Sequence, residues 1–275
     1  MTATISSPQA LGQGRVTQAG VIRAEWIKLR SLRSTWWSLF ATVVIVVGLG
    51  TLFSAVRAHR YNQFVGPGGR VFLDFDPTQI SLRGTFLAQL AMGVLGVLVI
   101  TGEYTTGMIR SSLAAVPHRL PVLYAKALVF AVMALVVCEV ASFCAFVFGQ
   151  QALSSTHLQA SLSTHNALRA VIGAGLYLTI IGLLGVGLGF LVRNTAGAIA
   201  TVVGIVLVLP LLAQALPSPY STDVLKYLPL DAGTQIMTLR PDSSALGPWT
   251  GLGLTALYAV VALVAGAWQL KRHDA

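Results

Sequence analysis

Residues 168–216 read LRAVIGAGLYLTIIGLLGVGLGFLV, then RNT, then AGAIATVVGIVLVLPLLAQAL. A helix crossing the hydrocarbon core of a bilayer needs about 20 apolar residues. Both runs qualify, and between them stand only Arg193, Asn194 and Thr195. Arg193 is costly to place in hydrocarbon, so the triplet belongs at a membrane edge. The stretch therefore reads as two antiparallel membrane helices joined by a tight basic turn, not as one overlong helix.

Four more runs fit the same template: Thr35–Val56, Thr85–Thr101, Val122–Phe148 and Trp249–Leu270. The second is the shortest and is rich in glycine. With Leu168–Val192 and Ala196–Leu216 they make six spans, so the expected fold is all-α and polytopic. Residues 1–17 are expected to be a disordered tail, and 18–275 one six-helix domain. No cleavable signal peptide is expected, because the first 20 residues are polar and the first apolar run is too long for one.

Composition agrees. The 275 residues are 55% hydrophobic and 10% charged, whereas a soluble domain carries about 25% charged residues. The net charge of +9 comes from basic residues lying mostly between apolar runs. Topology and anionic headgroups explain them more simply than nucleic acid does. Cys138 and Cys144 are six apart on one span, a spacing that does not bring helical side chains together, and both read as reduced packing residues.

Basic residues also orient the chain. Arg15, Arg23, Lys28, Arg30, Arg33, Arg110, Arg119, Lys126, Arg193, Lys271 and Arg272 share one side if the N-terminus is cytoplasmic. The other side then holds Asp74, Asp76, Asp223, Asp231 and Asp242. Arg57, Arg60, Arg70 and Arg83 run against the rule, since all four fall in the first external loop. The balance still places both termini in the cytoplasm.

Three connecting segments carry patterns. In 18–34, Val21, Ile22, Trp26, Leu29 and Leu32 share a helical face with Arg23, Lys28 and Arg30 on its flanks. This suits an amphipathic helix lying in the cytoplasmic interface; an extension of the first span is the alternative. Trp36 and Trp37 mark the headgroup level. In 102–121, Gly107 permits a turn, and Met108, Ile109, Leu113 and Val116 can form a short amphipathic helix before Pro117 and Pro121; a solvated loop is the other reading. Residues 217–248 read as one or two short helices resting at the outer surface and broken at Pro229 and Pro241, or as an irregular loop. Gly182, Gly185, Gly187 and Gly189 offer small faces for close helix packing.

Catalytic chemistry is scarce. G-x-x-x-x-G-K-[ST], H-E-x-x-H and G-x-S-x-G are absent, as is any Cys/His cluster with zinc spacing. His157 and His165 read as polar loop residues rather than metal ligands. Glu139 is the one carboxylate deep in a span, at a cost of order 2.5 kcal/mol or more for a comparable charge. It either lines a substrate or proton route or is a neutral carboxyl bonded to a neighbouring helix. A self-energised carrier needs more such groups, which favours a transporter driven from outside the chain.

The order of these features resembles the membrane-spanning subunit of ABC-2-type (ATP-binding cassette) transporters, particularly the short permeases common in actinobacteria. The carrying residues are VIRAEWIKLRSLRSTWWSL from Val21, LKYLPLDAGTQI from Leu225, and the series Glu103, Gly107, Arg110, Pro117, Arg119 and Lys126. Met108 stands where that family usually has Thr. The resemblance implies that the loop after the second span docks on a separate cytoplasmic ATPase. Glu103, Gly107, Arg110, Pro117 and Arg119 would form this coupling loop. It further implies a second permease copy, homodimeric or heterodimeric, and ATP with magnesium held by the partner ATPase. This chain is expected to hold no cofactor or metal and to hydrolyse nothing itself. The implied role is export of a small or amphipathic substrate across the plasma membrane. A polytopic enzyme acting on lipid and a non-transporting anchor or sensor are the competing readings.

Overall fold

A computed structural model describes residues 17–64, 76–109, 120–156, 159–218, 220–240 and 244–272. All regular structure among them is helical, and six helices are long and apolar enough to cross a membrane.

Helix α1 (Gln18–Ser31) starts at Thr17, whose hydroxyl accepts from the Gly20 amide at 3.2 Å. It ends at Leu32, where the backbone is extended (φ −81°, ψ 110°), so it is a separate element and not an extension of α2 (Arg33–Phe64). The Trp36 indole donates to the Arg30 carbonyl across this break at 2.9 Å. The five-residue α3 (Pro77–Ser81) follows. Asp76 caps it by accepting from the Gln79 amide at 2.9 Å, and Thr78, Ile80 and Ser81 are buried. Then come α4 (Thr85–Thr105), α5 (Leu120–Leu153) and α6 (Ala167–Val192).

The RNT triplet turns the chain as its residues suggest. Arg193 closes α6 in the left-handed conformation (φ 57°). The Asn194 side chain then caps α7 (Thr195–Val203) by accepting from the Gly197 amide at 2.9 Å. One π-helical turn (Gly204–Val208) separates α7 from α8 (Leu209–Gln214). Pro210 explains it: proline has no amide hydrogen and its ring crowds the carbonyl four residues back, at Val206, so the ladder shifts register there. The fifth apolar run is thus one continuous span that carries a π-helical turn rather than one regular α-helix. After α9 (Tyr220–Leu225) and α10 (Pro229–Thr234), α11 (Pro248–Arg272) closes the fold.

Helix α6 is the central post. Within its apolar window 72% of residues are buried, against 28% in α2 and in the α7–α8 span. Its glycines serve different neighbours. A Cβ on Gly185 would lie 2.2 Å from the Gly93 carbonyl oxygen of α4, and one on Gly96 of α4 would lie 2.0 Å from that of Gly182. Gly187 faces α11 in the same way, at 2.6 Å from Ala262 backbone. Backbone-to-backbone contact of this kind is what small residues permit where lipid supplies no hydrophobic drive between helices.

On α1, Val21, Glu25 and Leu29 are buried against the bundle, whereas Trp26 and Leu32 are exposed. One expectation changes, for 217–248. Exposed α9 has no buried residue, but α10 and the 3₁₀ turn after it (Gln235–Met237) pack into the bundle, burying Ala232, Gly233, Ile236 and Met237. Pro229 begins α10 instead of breaking a helix, because its fixed φ and missing amide suit the first helical turn. Pro241 lies outside the described residues.

Candidate functional site

The α1 end of the bundle holds four charged side chains in one cluster. The Lys126 ammonium, on the second turn of α5, is 1% exposed. It donates to Glu25 of α1 at 2.6 Å and to Glu103 of α4 at 2.5 Å. Lys28 of α1 pairs with the same Glu103 oxygen. Two carboxylates face two ammonium groups, so the cluster is neutral as a whole. Burial of a single ion costs several kcal/mol even after relaxation, and mutual attraction with hydrogen bonding offsets that cost only when every member has a partner.

Three elements deliver these residues for identifiable reasons. Glu25 sits one turn from both Val21 and Leu29, so the stripe that packs α1 on α5 carries it inward. Val21 meets Val122 and Ala125 of α5, and the Gln18 amide donates to the Pro121 carbonyl at 3.3 Å. Glu103 is in the last turn of α4. Gly107 then adopts φ +71°, which a glycine alone takes without strain, and turns the chain. Beyond the turn Met108 is exposed, while Ile109 is 1% exposed and anchors the start of the connection. The chain on the near side of residue 110 is therefore held by Glu103, paired with Lys28 and Lys126, and the chain after residue 119 by Lys126 and Pro121, which pair with Glu25 and Gln18 of α1.

Of the residues singled out in sequence, Glu103 is in this cluster and Gly107 makes the turn. Arg110, Pro117 and Arg119, with Leu113 and Val116, lie outside the described residues. Glu139 lies apart, on α5 against α6: a Cβ on Gly175 would fall 2.5 Å from its carboxyl carbon. One Glu139 oxygen is buried without a hydrogen-bond partner among the described residues. His165 is exposed and His157 lies outside the described residues. Sequence reasoning missed Glu25 and Lys28 as partners. The available signal was the four-residue spacing that puts Glu25 on the Val21–Leu29 stripe.

Arg193 joins the same end of the bundle. Its guanidinium lies 5.6 Å from the Tyr104 ring centroid, and it donates to the Gln269 carbonyl of α11 at 3.0 Å. Neutral and capping bonds, with a donation from Arg169 to the Thr238 carbonyl, hold the opposite end. Gln150 of α5 donates to the Pro77 carbonyl at 3.0 Å and to the Ser81 hydroxyl at 2.9 Å. It also accepts from the Ala160 amide at 2.7 Å. The second Asp76 oxygen accepts from the Leu239 amide at 2.9 Å, which joins α3 to the segment after α10.

Compared with known families, residues 21–212 match the model of one described as ABC-2 family transporter protein. A comparison with curated proteins found no match.

Proposed function

Because this chain belongs to the ABC-2 transporter family, we propose that it is the translocating subunit of an exporter powered by a separate cytoplasmic ATPase. The α1 end faces the cytoplasm in this reading. The 110–119 segment meets the ATPase, which supplies ATP and magnesium, and a second permease copy completes the path. The substrate is small or amphipathic, and the membrane is the plasma membrane.

The neutral Glu25–Lys28–Glu103–Lys126 cluster is the observation that carries this reading. A displacement of the 110–119 segment pulls on α4 through Glu103 and on α5 through Lys126, and α1 links the two. The close backbone contact of α4 with α6 then passes the motion to the central post, since packed helices shift as rigid bodies between discrete arrangements. The sequence offers no nucleotide-binding loop of its own, which fits a division of labour between two chains.

The test is reconstitution of the chain with its ATPase in proteoliposomes. ATP hydrolysis is expected to rise on assembly, and to rise again when the transported compound is added. A chain that never associates with such an ATPase would favour the lipid-enzyme or anchor readings.

A further inference from the structure

Three of the four arginines that break the charge rule in the first external loop meet on one groove. Arg57 and Arg60 extend from the last turns of α2, and Arg83 from the turn between α3 and α4. All three are exposed. Together with Asp76 they line a cavity of about 330 Å³. The Asp76 carboxylate is already engaged on both oxygens by the Gln79 and Leu239 amides. Three guanidinium groups and one capping carboxylate thus line the same cavity.

A second cavity of about 310 Å³ adjoins the first, sharing Phe53, Gln79 and Arg83 among its lining residues. Its character is different. Leu82, Phe86 and Met237 line it with Phe53, and Leu82 and Met237 are buried at its base. Each cavity falls near the lower end of the range of small-molecule sites, roughly 300 to 1,000 Å³. A cationic compartment beside an apolar one, with shared walls, matches a ligand that has an anionic head and a hydrocarbon tail. Guanidinium groups recognise phosphate-type oxygens through paired, charge-assisted hydrogen bonds.

We infer that this groove binds an anionic amphiphile, its head among Arg57, Arg60 and Arg83 and its tail against Phe53, Leu82 and Phe86. The site explains why basic residues stay in that loop against the topological rule: they hold a ligand there. The inference rests on the chain lying in a membrane. It does not need the ATPase partner, so its failure and that of the transporter reading are separable.

The experiment titrates the detergent-solubilised full chain with phosphatidylglycerol and counts bound lipid by native mass spectrometry. Saturable binding is expected, with phosphatidylcholine about tenfold weaker or more and with no displacement by inorganic phosphate. In the R57Q/R60Q/R83Q variant the affinity for phosphatidylglycerol is expected to fall about tenfold or more, as loss of at least one charged hydrogen bond requires. Equal binding of the two lipids to the unaltered chain overturns the proposal, and that comparison needs no variant. Displacement by inorganic phosphate overturns the amphiphile in favour of a bare anion site. Undiminished binding by a folded triple variant places the lipid elsewhere.

Discussion

Replacing Lys126 with methionine removes one charge and nearly preserves volume, so its effect isolates the cluster at the α1 end. In the native chain Lys126 contacts Glu25 at 2.6 Å and Glu103 at 2.5 Å, and it is 1% exposed. After Lys126→Met, two largely buried carboxylates share the single ammonium of Lys28, whose side chain is 19% exposed. Removing one member of a buried pair costs about 3–5 kcal/mol, because an uncompensated charge remains. Lys28, already paired with Glu103, compensates one carboxylate in part, which places the expected loss nearer 3 than 5 kcal/mol. The assay is reversible denaturant unfolding of the purified full chain. The informative partner is the triple variant Glu25→Gln, Glu103→Gln, Lys126→Met, which leaves no buried carboxylate uncompensated and only the partly exposed Lys28 charge. It is expected to recover most of the loss, since replacing a whole buried pair is often close to neutral. If Lys126→Met costs under about 1 kcal/mol, or if the triple variant is no more stable than the single one, the cluster is not a closed electrostatic unit and the reasoning fails.

Three further outcomes can be checked by the same unfolding measurement. Gly185→Leu forces α4 and α6 apart where a Cβ already lies 2.2 Å from a carbonyl oxygen; overpacking of this kind costs about 1–3 kcal/mol or more, whereas Gly48→Ala, with nothing within 4 Å, is expected to be tolerated. Tyr177→Phe removes the buried hydroxyl that donates to Gln89, at about 1–3 kcal/mol for the orphaned acceptor, and a second change, Gln89→Leu, is expected to restore part of it. Burial raises the Asp231 carboxyl above its ordinary range, and this effect outweighs its own backbone hydrogen bond. The folded state therefore holds that proton more tightly than the unfolded chain, so stability falls as pH rises from the unfolded value of about 3.9 through the raised one. Asp231→Asn is then more stable than the native chain at neutral pH, and the difference closes on acidification below about pH 3.9; a constant difference at all pH values would contradict the assignment.

The spans were legible because crossing hydrocarbon imposes a length and a composition, and each apolar run meets a helix. The Arg193–Asn194–Thr195 turn was legible for a similar reason: a charge cannot stay in hydrocarbon, and Asn194 is a strong capping residue. Less local features escaped. Helix α3 has five residues, too short for a periodic signal, and is held by the Asp76 cap at its start and by Gln150, which bonds both Pro77 and Ser81. The pairing of Glu25 with Lys126 joins residues 101 positions apart. Nothing in either neighbourhood announces the other. Burial of α10 likewise depends on Gly251, where a Cβ would meet the Ala232 carbonyl oxygen at 2.1 Å. That contact follows from the packing of α11 and not from the pattern of 217–248. The π-helical turn was foreshadowed only by Pro210, and a proline inside an apolar run predicts a distortion without fixing its form.

Site-specific cross-linking to the partner ATPase tests the central claim most directly. A photoreactive group on cysteine is placed at residue 113 by Leu113→Cys, between Glu103 and Lys126 in sequence, and at residue 222 by Thr222→Cys on exposed α9. Each is made with Cys138→Ala and Cys144→Ala so that no native thiol competes. The account predicts a cross-link to the ATPase from position 113, strengthened or weakened by ATP, and none from position 222. A cross-link from position 222, or none from 113 in a complex that hydrolyses ATP, would contradict it.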